Sequence, residues 1–188
     1  CLSFNGNKII TTGGGGMILT EDEKLAEKAR YLTTQTKDDP VRYIHHEIGY
    51  NFRLTNIQAA LGVAQMEQLP NFLKRKKNIC LQYAKQVEKI NGLTMASVPD
   101  YANNNHWMNL LQIDSRTYGT DREALMTRMD NNGIQTRPVW MLNHLQKPYR
   151  DCQSYKIERA EELVEKSLCL PSSVNITNSQ IQYIMKTL

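Results

Sequence analysis

The chain has 188 residues, and 23 Lys and Arg against 19 Asp and Glu leave a formal net charge of +4. This length suffices for one sizeable domain or for two smaller lobes. Hydrophobic residues make up 40% and charged residues 22%, which is ordinary globular usage, and 10 Gly with 6 Pro are too few for a collagen-like or low-complexity chain. The basic excess is spread along the chain, and its densest run, residues 74–77, is expected on the solvated face of a helix. We therefore expect no nucleic acid as a partner.

The four cysteines have neither the close spacing of a zinc site nor the density of a disulfide scaffold. We expect free thiols in a reducing compartment. The adjacent His45 and His46 lack the i, i+4 spacing of a helical metal site, so no metal is expected. No apolar run reaches the roughly 20 residues that span a bilayer, and no signal segment opens the chain. The expected location is the cytoplasm, without a membrane partner.

The first third of the chain alternates between strand and helix patterns. Apolar residues 9–10 and 17–19 flank the glycine run 13–16, which predicts two strands joined by a tight turn. A helix is expected over residues 21–32, with Thr20 and Glu23 as its capping box. Residues 33–50 are polar and irregular, which predicts a long surface loop of the kind that often carries function.

The remaining residues predict helices and strands that form a small α/β lobe. Thr55 and Gln58 form a capping box for a helix that Pro70 should end or kink. The other predicted elements are helices at 71–89, 120–131 (with Thr120 and Glu123 as capping box), 154–168 and from Thr177 with Gln180, and strands at 107–113 and 134–140. The change of pattern after Asn91 and Gly92 predicts a domain boundary there.

Lys8 is the first candidate for chemistry. It follows the turn-forming residues 5–7 at the mouth of a predicted strand. A lysine held in such a turn can bond covalently to a carbonyl cofactor if its amine loses its charge. On position alone, a solvated turn lysine is the simpler interpretation. The glycine run that follows lacks the Lys-Ser or Lys-Thr of a phosphate loop, so a tight turn is preferred there.

Two long motifs resemble those of one enzyme family. Residues 3–17, Ser-Phe-Asn-Gly-Asn-Lys-Ile-Ile-Thr-Thr-Gly-Gly-Gly-Gly-Met, resemble the cofactor-lysine segment of the sugar-nucleotide aminotransferases called the DegT/DnrJ/StrS family. Residues 49–60, Gly-Tyr-Asn-Phe-Arg-Leu-Thr-Asn-Ile-Gln-Ala-Ala, are similar to its second hallmark. Residues 136–140, 144–145 and 170–173 resemble the branch that aminates nucleotide-linked 4-keto-6-deoxy-N-acetylhexosamines, as in legionaminic acid and bacillosamine synthesis.

The resemblance implies an α/β fold, the pyridoxal phosphate (PLP)-dependent transferase fold type I. This chain would be its C-terminal part. Residues 1–90 would form the end of the large-domain mixed sheet, and residues 91–188 the small C-terminal α/β domain. In the family, a preceding region completes the seven-stranded sheet and binds the pyridine ring, so those residues are expected upstream of Cys1. A fragment without them is expected to bind the cofactor poorly or to fold incompletely.

The resemblance also implies which residues bind pyridoxal 5'-phosphate. Lys8 corresponds to the lysine that anchors the cofactor covalently and shuttles the proton. Ser3 corresponds to the hydroxyl that binds the cofactor phosphate. Asn51 matches an asparagine that reaches across a homodimer to the partner's cofactor phosphate, which would make the active sites composite. Arg53 is expected either to hold a phosphate or bridge the dimer, or to form a structural salt bridge.

Three further residues correspond by resemblance to the substrate pocket. Arg137, Trp140 and His144 are expected to contact the sugar nucleotide, although Trp140 could instead pack within the small lobe. The motifs specify neither the nucleotide, UDP or GDP, nor the stereochemistry at the aminated carbon.

The implied reaction is transfer of an amino group from glutamate to a nucleotide-linked 4-keto-6-deoxy sugar, in bacterial cell-surface glycan biosynthesis. The alternative is a non-catalytic truncated or split module that acts through dimer contacts; the presence of Lys8 argues against it. A related PLP-dependent dehydratase is disfavoured because those relatives carry histidine in place of the anchor lysine.

Overall fold

The computed structural model describes residues 1–188, which divide into two compact units, Cys1–Asn71 and Phe72–Leu188. The predicted domain boundary after residue 90 stays a prediction. The helices are α1 (Glu23–Thr33), α2 (Asn56–Val87), α3 (Ser115–Tyr118), α4 (Arg122–Asn131), α5 (Glu158–Lys166) and α6 (Asn178–Thr187). The strands are β1 (Leu2–Ser3), β2 (Gly16–Met17), β3 (Leu93–Met95), β4 (Asn109–Ile113), β5 (Arg137–Pro138) and β6 (Ser167–Leu170). No helix has the length and apolar character needed to cross a membrane.

The first unit opens with a two-stranded antiparallel pair, β1 with β2. The predicted strand at residues 9–10 is wrong, because that segment lies within the connection between the two strands. Hydrogen bonds from the Phe4 N–H to the Gly15 carbonyl and from the Thr12 N–H to the Phe4 carbonyl, both 3.0 Å, close this connection into a loop. The backbone of Phe4 is therefore hydrogen-bonded to two later residues of the connection, Thr12 and Gly15.

Two of the predicted helix caps are displaced by neighbouring aspartates. The N-cap of α1 is Asp22, whose carboxylate accepts the Leu25 N–H at 3.1 Å. Asp121 caps α4 in the same way and accepts the Ala124 N–H at 2.8 Å. The predictions of Thr20 and Thr120 as caps were wrong, because a carboxylate one or two residues later takes the exposed N–H and interacts favourably with the helix dipole.

The capping boxes at α2 and α6 are confirmed. The Thr55 hydroxyl accepts the Gln58 N–H at 3.3 Å, and the Gln58 side chain accepts the Thr55 N–H at 3.1 Å. Thr177 and Gln180 form the same reciprocal pair before α6, with distances of 3.2 and 2.8 Å. These boxes satisfy N–H groups that the first helical turn leaves without partners.

Pro70 does not end α2, which continues as one helix, so the separate helix predicted over residues 71–89 was wrong. A proline inside a helix deprives the carbonyl four residues earlier, here that of Met66, of its hydrogen-bond donor. Pro70 and Met66 are both exposed, which allows water to take the place of that donor.

The second unit contains a four-stranded antiparallel sheet with strand order β3-β4-β6-β5. Alternate residues of β4 are buried, as the two-residue period of a strand requires. The buried core joins the sheet to α2, α4 and α6, and its members are Ile79, Tyr83, Val87, Leu93, Leu111, Ile113, Leu125, Met129, Ile134, Leu168, Leu170, Ile176, Ile181, Ile184 and Met185. The strand predicted over residues 134–140 shrinks to Arg137–Pro138, where a proline without an N–H occupies the sheet edge.

One lysine of the basic run is buried, contrary to the solvated face predicted for residues 74–77. The Lys76 ammonium donates to the Trp107 carbonyl and to the Ser172 hydroxyl, both at 3.1 Å, and also to the Ser172 carbonyl. Burial lowers the pKa of Lys76. These contacts tie α2 to the segments flanking β4 and β6.

Candidate active site

Lys8 lies on a tight turn that directly follows β1. Its backbone N–H donates to the Asn5 carbonyl at 3.0 Å, and the Asn5 N–H donates to the Ser3 hydroxyl at 3.4 Å. Lys8 is half-buried, whereas Ser3 is exposed. The turn thus holds the predicted anchor lysine and the predicted phosphate-binding hydroxyl on one hydrogen-bonded segment.

The glycine run ends the connection between β1 and β2; the predicted tight turn between two strands at residues 9–10 and 17–19 was wrong, because β2 pairs with residues 2–3 and Gly16 itself belongs to β2. Gly15 has a left-handed φ of +85°, and a Cβ there would lie 2.8 Å from a Leu54 methyl carbon. A Cβ at Gly16 would lie 2.5 Å from the Leu2 carbonyl oxygen, which is too close for any larger residue. Glycine is therefore required for the chain to return beside β1.

The groups offered by this turn fit pyridoxal phosphate. Lys8 supplies a primary amine, the group that bonds covalently to a carbonyl cofactor. The Ser3 hydroxyl accepts one hydrogen bond, and its own proton has no acceptor within the chain. That proton is available to a phosphate oxygen.

Asn51 is held in place by a bridge to the end of α1. Asn51 pairs with Thr34 in an isolated antiparallel bridge, and the Phe52 N–H donates to the Thr33 carbonyl at 3.1 Å. The Asn51 residue is exposed, and its side chain makes no hydrogen bond within the chain. The fixed backbone therefore presents a free amide group at the surface of this unit.

The polar loop before Asn51 is ordered by its own side chains. Asp38 accepts hydrogen bonds from the His46 N–H at 2.8 Å and from the Tyr31 hydroxyl at 3.0 Å, and these bonds lower the pKa of the Asp38 carboxyl. The His45 ring bonds the Gln35 carbonyl at 2.6 Å. Both adjacent histidines thus serve the structure of the loop that leads to Asn51.

Arg53 is exposed and forms no ion pair or hydrogen bond within the chain. The structural salt bridge considered for this residue is therefore not formed inside this chain. Its neighbour Phe52 stacks on Tyr50, with ring centroids 4.9 Å apart and planes at 13°. The Asn51 segment thus carries an amide, a guanidinium and two aromatic rings.

Two of the three residues expected to contact the sugar nucleotide share one cavity in the second unit. Trp140 and His144 line a cavity of about 540 Å³, together with the aromatic side chains of Tyr149 and Tyr155. Arg137 does not line it; this arginine is exposed on β5 and donates to the Thr136 carbonyl at 3.4 Å.

Sequence reasoning missed two residues that contact this pair. The Glu161 carboxylate lies 3.1 Å from His144 Nε2, and the Trp107 ring lies 5.8 Å from that of Trp140. Glu161 gave no local signal, because it is 17 residues from His144. Trp107 carried a weak sequence signal, because it is one of only two tryptophans in the chain.

Comparison with known proteins identifies the family. All of residues 1–188 match the DegT/DnrJ/EryC1/StrS aminotransferase family. The chain belongs to this family.

Relatives of this family member are found among curated proteins. It is 35% identical over 192 residues to EpsN of Bacillus subtilis (strain 168), and the aligned region covers 99% of this chain and 48% of EpsN. It is 36% identical over 186 residues to the GDP-perosamine synthase of Escherichia coli O157:H7, covering 99% of the chain and 50% of that protein. The chain thus spans about half the length of these relatives.

Solved structures confirm the predicted fold class. The aminotransferase TlmJ from Streptoalloteichus hindustanus superposes with a TM-score of 0.87 at 25% identity, over 98% of this chain and 49% of TlmJ. DesI, solved in the presence of its TDP-sugar product, gives the same TM-score and identity over 98% of this chain and 47% of DesI. The α/β fold is that of the PLP-dependent sugar aminotransferases, and its coverage is consistent with the predicted C-terminal part.

Proposed function

We propose that the protein containing this chain is a PLP-dependent aminotransferase that moves an amino group from glutamate to a nucleotide-linked 4-keto-6-deoxy sugar. The observation that carries the proposal is that, in a member of this family, hydrogen bonds through Asn5 link the backbone of Lys8 to the hydroxyl of Ser3. The names of the GDP-perosamine synthases and the TDP-sugar product of DesI support a nucleotide sugar as substrate. We place the reaction in the cytoplasm, in bacterial cell-surface glycan biosynthesis.

Each residue of the turn has a defined task in this proposal. When bound, pyridoxal phosphate supplies the electron sink that lowers the barrier to proton removal from carbon. Lys8 Nζ anchors the cofactor and then accepts and returns the proton of the reacting carbon. Ser3 holds the cofactor phosphate through a charge-assisted hydrogen bond. In the second unit, Trp140 and His144 contact the sugar nucleotide, with Arg137 as a third candidate.

A homodimer with composite active sites is part of the proposal. Asn51 would act on the partner's cofactor phosphate, and Arg53 would hold a phosphate or bridge the dimer, which agrees with their exposure and their lack of partners within the chain. The first unit buries no hydrophobic residue and exposes large ones, including Ile48 at 84% and Ile57 at 85%. Apolar surface of this extent is typical of an interaction site.

We assign residues 1–90 to the large domain and 91–188 to the small domain.

The direct test is chemical labelling of the longest natural polypeptide that contains this sequence. The protein is purified with pyridoxal phosphate, reduced with borohydride, digested and mapped by mass spectrometry. A phosphopyridoxyl mass on the peptide that contains Lys8 is the expected result. A fully occupied protein whose label sits on another lysine, or a protein that retains no label, contradicts the proposal.

The composite site predicts complementation between two inactive variants. Lys8→Ala and Asn51→Ala are each expected to be impaired as homodimers. Random mixing after subunit exchange places both native residues in one site of each mixed dimer, and should recover about a quarter of the native rate. The matched control mixes Lys8→Ala with Lys8→Ala/Asn51→Ala, which cannot rebuild any site. Equal activity of the two mixtures contradicts the composite arrangement.

A further inference from the structure

The cavity lined by Trp140 and His144 has a chemical character that narrows what it can bind. None of its lining side chains is a lysine, arginine, aspartate or glutamate. A diphosphate is bound by cationic groups or by clustered N–H donors, and the lining offers no cation. Its polar groups include the amides of Asn143 and Gln153 and the ring of His144, set among the aromatic residues. This lining suits an uncharged ring that carries hydroxyl or N–H groups.

Only one of the two ring nitrogens of His144 has a hydrogen-bond partner within the chain. Its Nε2 lies 3.1 Å from the Glu161 carboxylate, and the histidine side chain is only 18% exposed. Nδ1 has no partner within the chain. Because an ionised carboxylate can only accept hydrogen bonds, Nε2 must carry the proton, and in the neutral ring Nδ1 is then an acceptor.

We propose that Glu161 is a positioning residue that fixes the His144 tautomer, so that Nδ1 accepts a hydrogen bond from an uncharged part of the nucleotide sugar in this cavity. The inference rests on the proposed function for its ligand. Glu161 touches no part of the ligand itself; it acts through the ring of His144. Removing the carboxylate allows the proton to occupy either nitrogen, which converts the acceptor into a donor in part of the molecules.

The first test reads the tautomer directly, without any turnover. Nitrogen-15 NMR of the histidine side chains in the whole protein, assigned with His144→Gln, should show Nε2 protonated and Nδ1 unprotonated in the native protein near pH 8. Glu161→Ala should give a mixture of tautomers. Glu161→Gln should keep the native tautomer, because its amide oxygen can still accept a hydrogen bond from the His144 Nε2–H group. Glu165→Gln, an exposed carboxylate on the same helix, is the matched control. A native spectrum in Glu161→Ala overturns the proposal.

The second test separates binding from structure. In the aminotransfer assay, Glu161→Ala should raise the KM for the nucleotide sugar about fivefold, the value of one hydrogen bond, and leave kcat unchanged. The KM for glutamate should not change, and Glu161→Gln should restore most of the loss. A parallel decline in kcat and in both KM values in Glu161→Ala indicates general damage and contradicts a positioning role.

The ligand part is tested by titrating the labelled native protein. UDP and GDP probe the base and ribose, and N-acetylglucosamine probes the hexose. A shift of the His144 Nδ1 signal with either class supports the proposal and identifies which end occupies the cavity. No shift with any probe at millimolar concentration overturns it. Failure of the proposed function can be told apart from failure of this inference. A native protein that transfers no amino group contradicts the proposed function, yet its NMR spectrum still shows which nitrogen of His144 carries the proton.

Discussion

Replacing Lys8 by alanine is expected to reduce amino-group transfer by about 10³-fold in the full-length protein, because it removes both the covalent anchor and the proton carrier. The turn itself should survive, since its hydrogen bonds come from the backbone N–H of residue 8 and from Asn5. An alanine at position 8 can still make the backbone bond to the Asn5 carbonyl. The backbone of the turn is therefore expected to be kept in the variant.

The measurement is the rate of labelled amino transfer, together with the absorbance of bound cofactor before and after dialysis. The Lys8→Ala protein should lose the cofactor on dialysis while its circular dichroism stays native. Lys24→Ala, which replaces an exposed lysine on α1 that forms no ion pair or hydrogen bond within the chain, serves as the matched control and should keep full activity. Near-native transfer by Lys8→Ala would refute the assignment of Lys8.

Leu111→Ala is expected to destabilise the second unit by about 2–5 kcal/mol. Leu111 lies on β4 with 0% of its surface exposed, within the core that joins the sheet to the helices. Truncation removes its buried methyl groups and leaves a cavity that the packed neighbours fill only in part. Such a loss is a large fraction of the 5–15 kcal/mol that stabilises a typical domain.

Both tryptophans of the chain, Trp107 and Trp140, lie in this unit, so their fluorescence during urea unfolding reports on it. Leu81→Ala is the matched control, because Leu81 is 60% exposed on α2 and should change the free energy of unfolding by no more than about 0.5 kcal/mol. An equal change for the two variants would contradict the buried role of Leu111.

Features set by local sequence were predictable. The Thr55–Gln58 and Thr177–Gln180 boxes depend on residues three positions apart, and both form as expected. The caps at Asp22 and Asp121 were missed because a competing carboxylate lay within two residues of each predicted cap. The β1–β2 pair was missed because Ser3 and Gly16 are brought together by loop closure. Such pairing cannot be deduced from the hydrophobic period of either segment.

In the candidate site too, residues close together in the sequence were predictable, whereas contacts between distant residues were not. Ser3 and Lys8 lie within one short motif, so the sequence could predict them together, and in the structure hydrogen bonds through Asn5 link the two residues. Glu161 gave no such signal, because its relation to His144 depends on how α5 packs. Lys76 was misjudged for a similar reason, since only the fold brings the Trp107 carbonyl to its ammonium. Long-range polar contacts are thus what the sequence did not reveal.

The apolar exposure of residues 1–71 has a thermodynamic consequence. A segment that buries no hydrophobic residue gains little from its own collapse, because burial of apolar surface is the main force that favours folding. Its melting point is then not a property of the segment alone. If a second copy covers this surface, mass action governs the stability of residues 1–71, which should rise with protein concentration, while the enclosed core of the second unit should be indifferent to dilution.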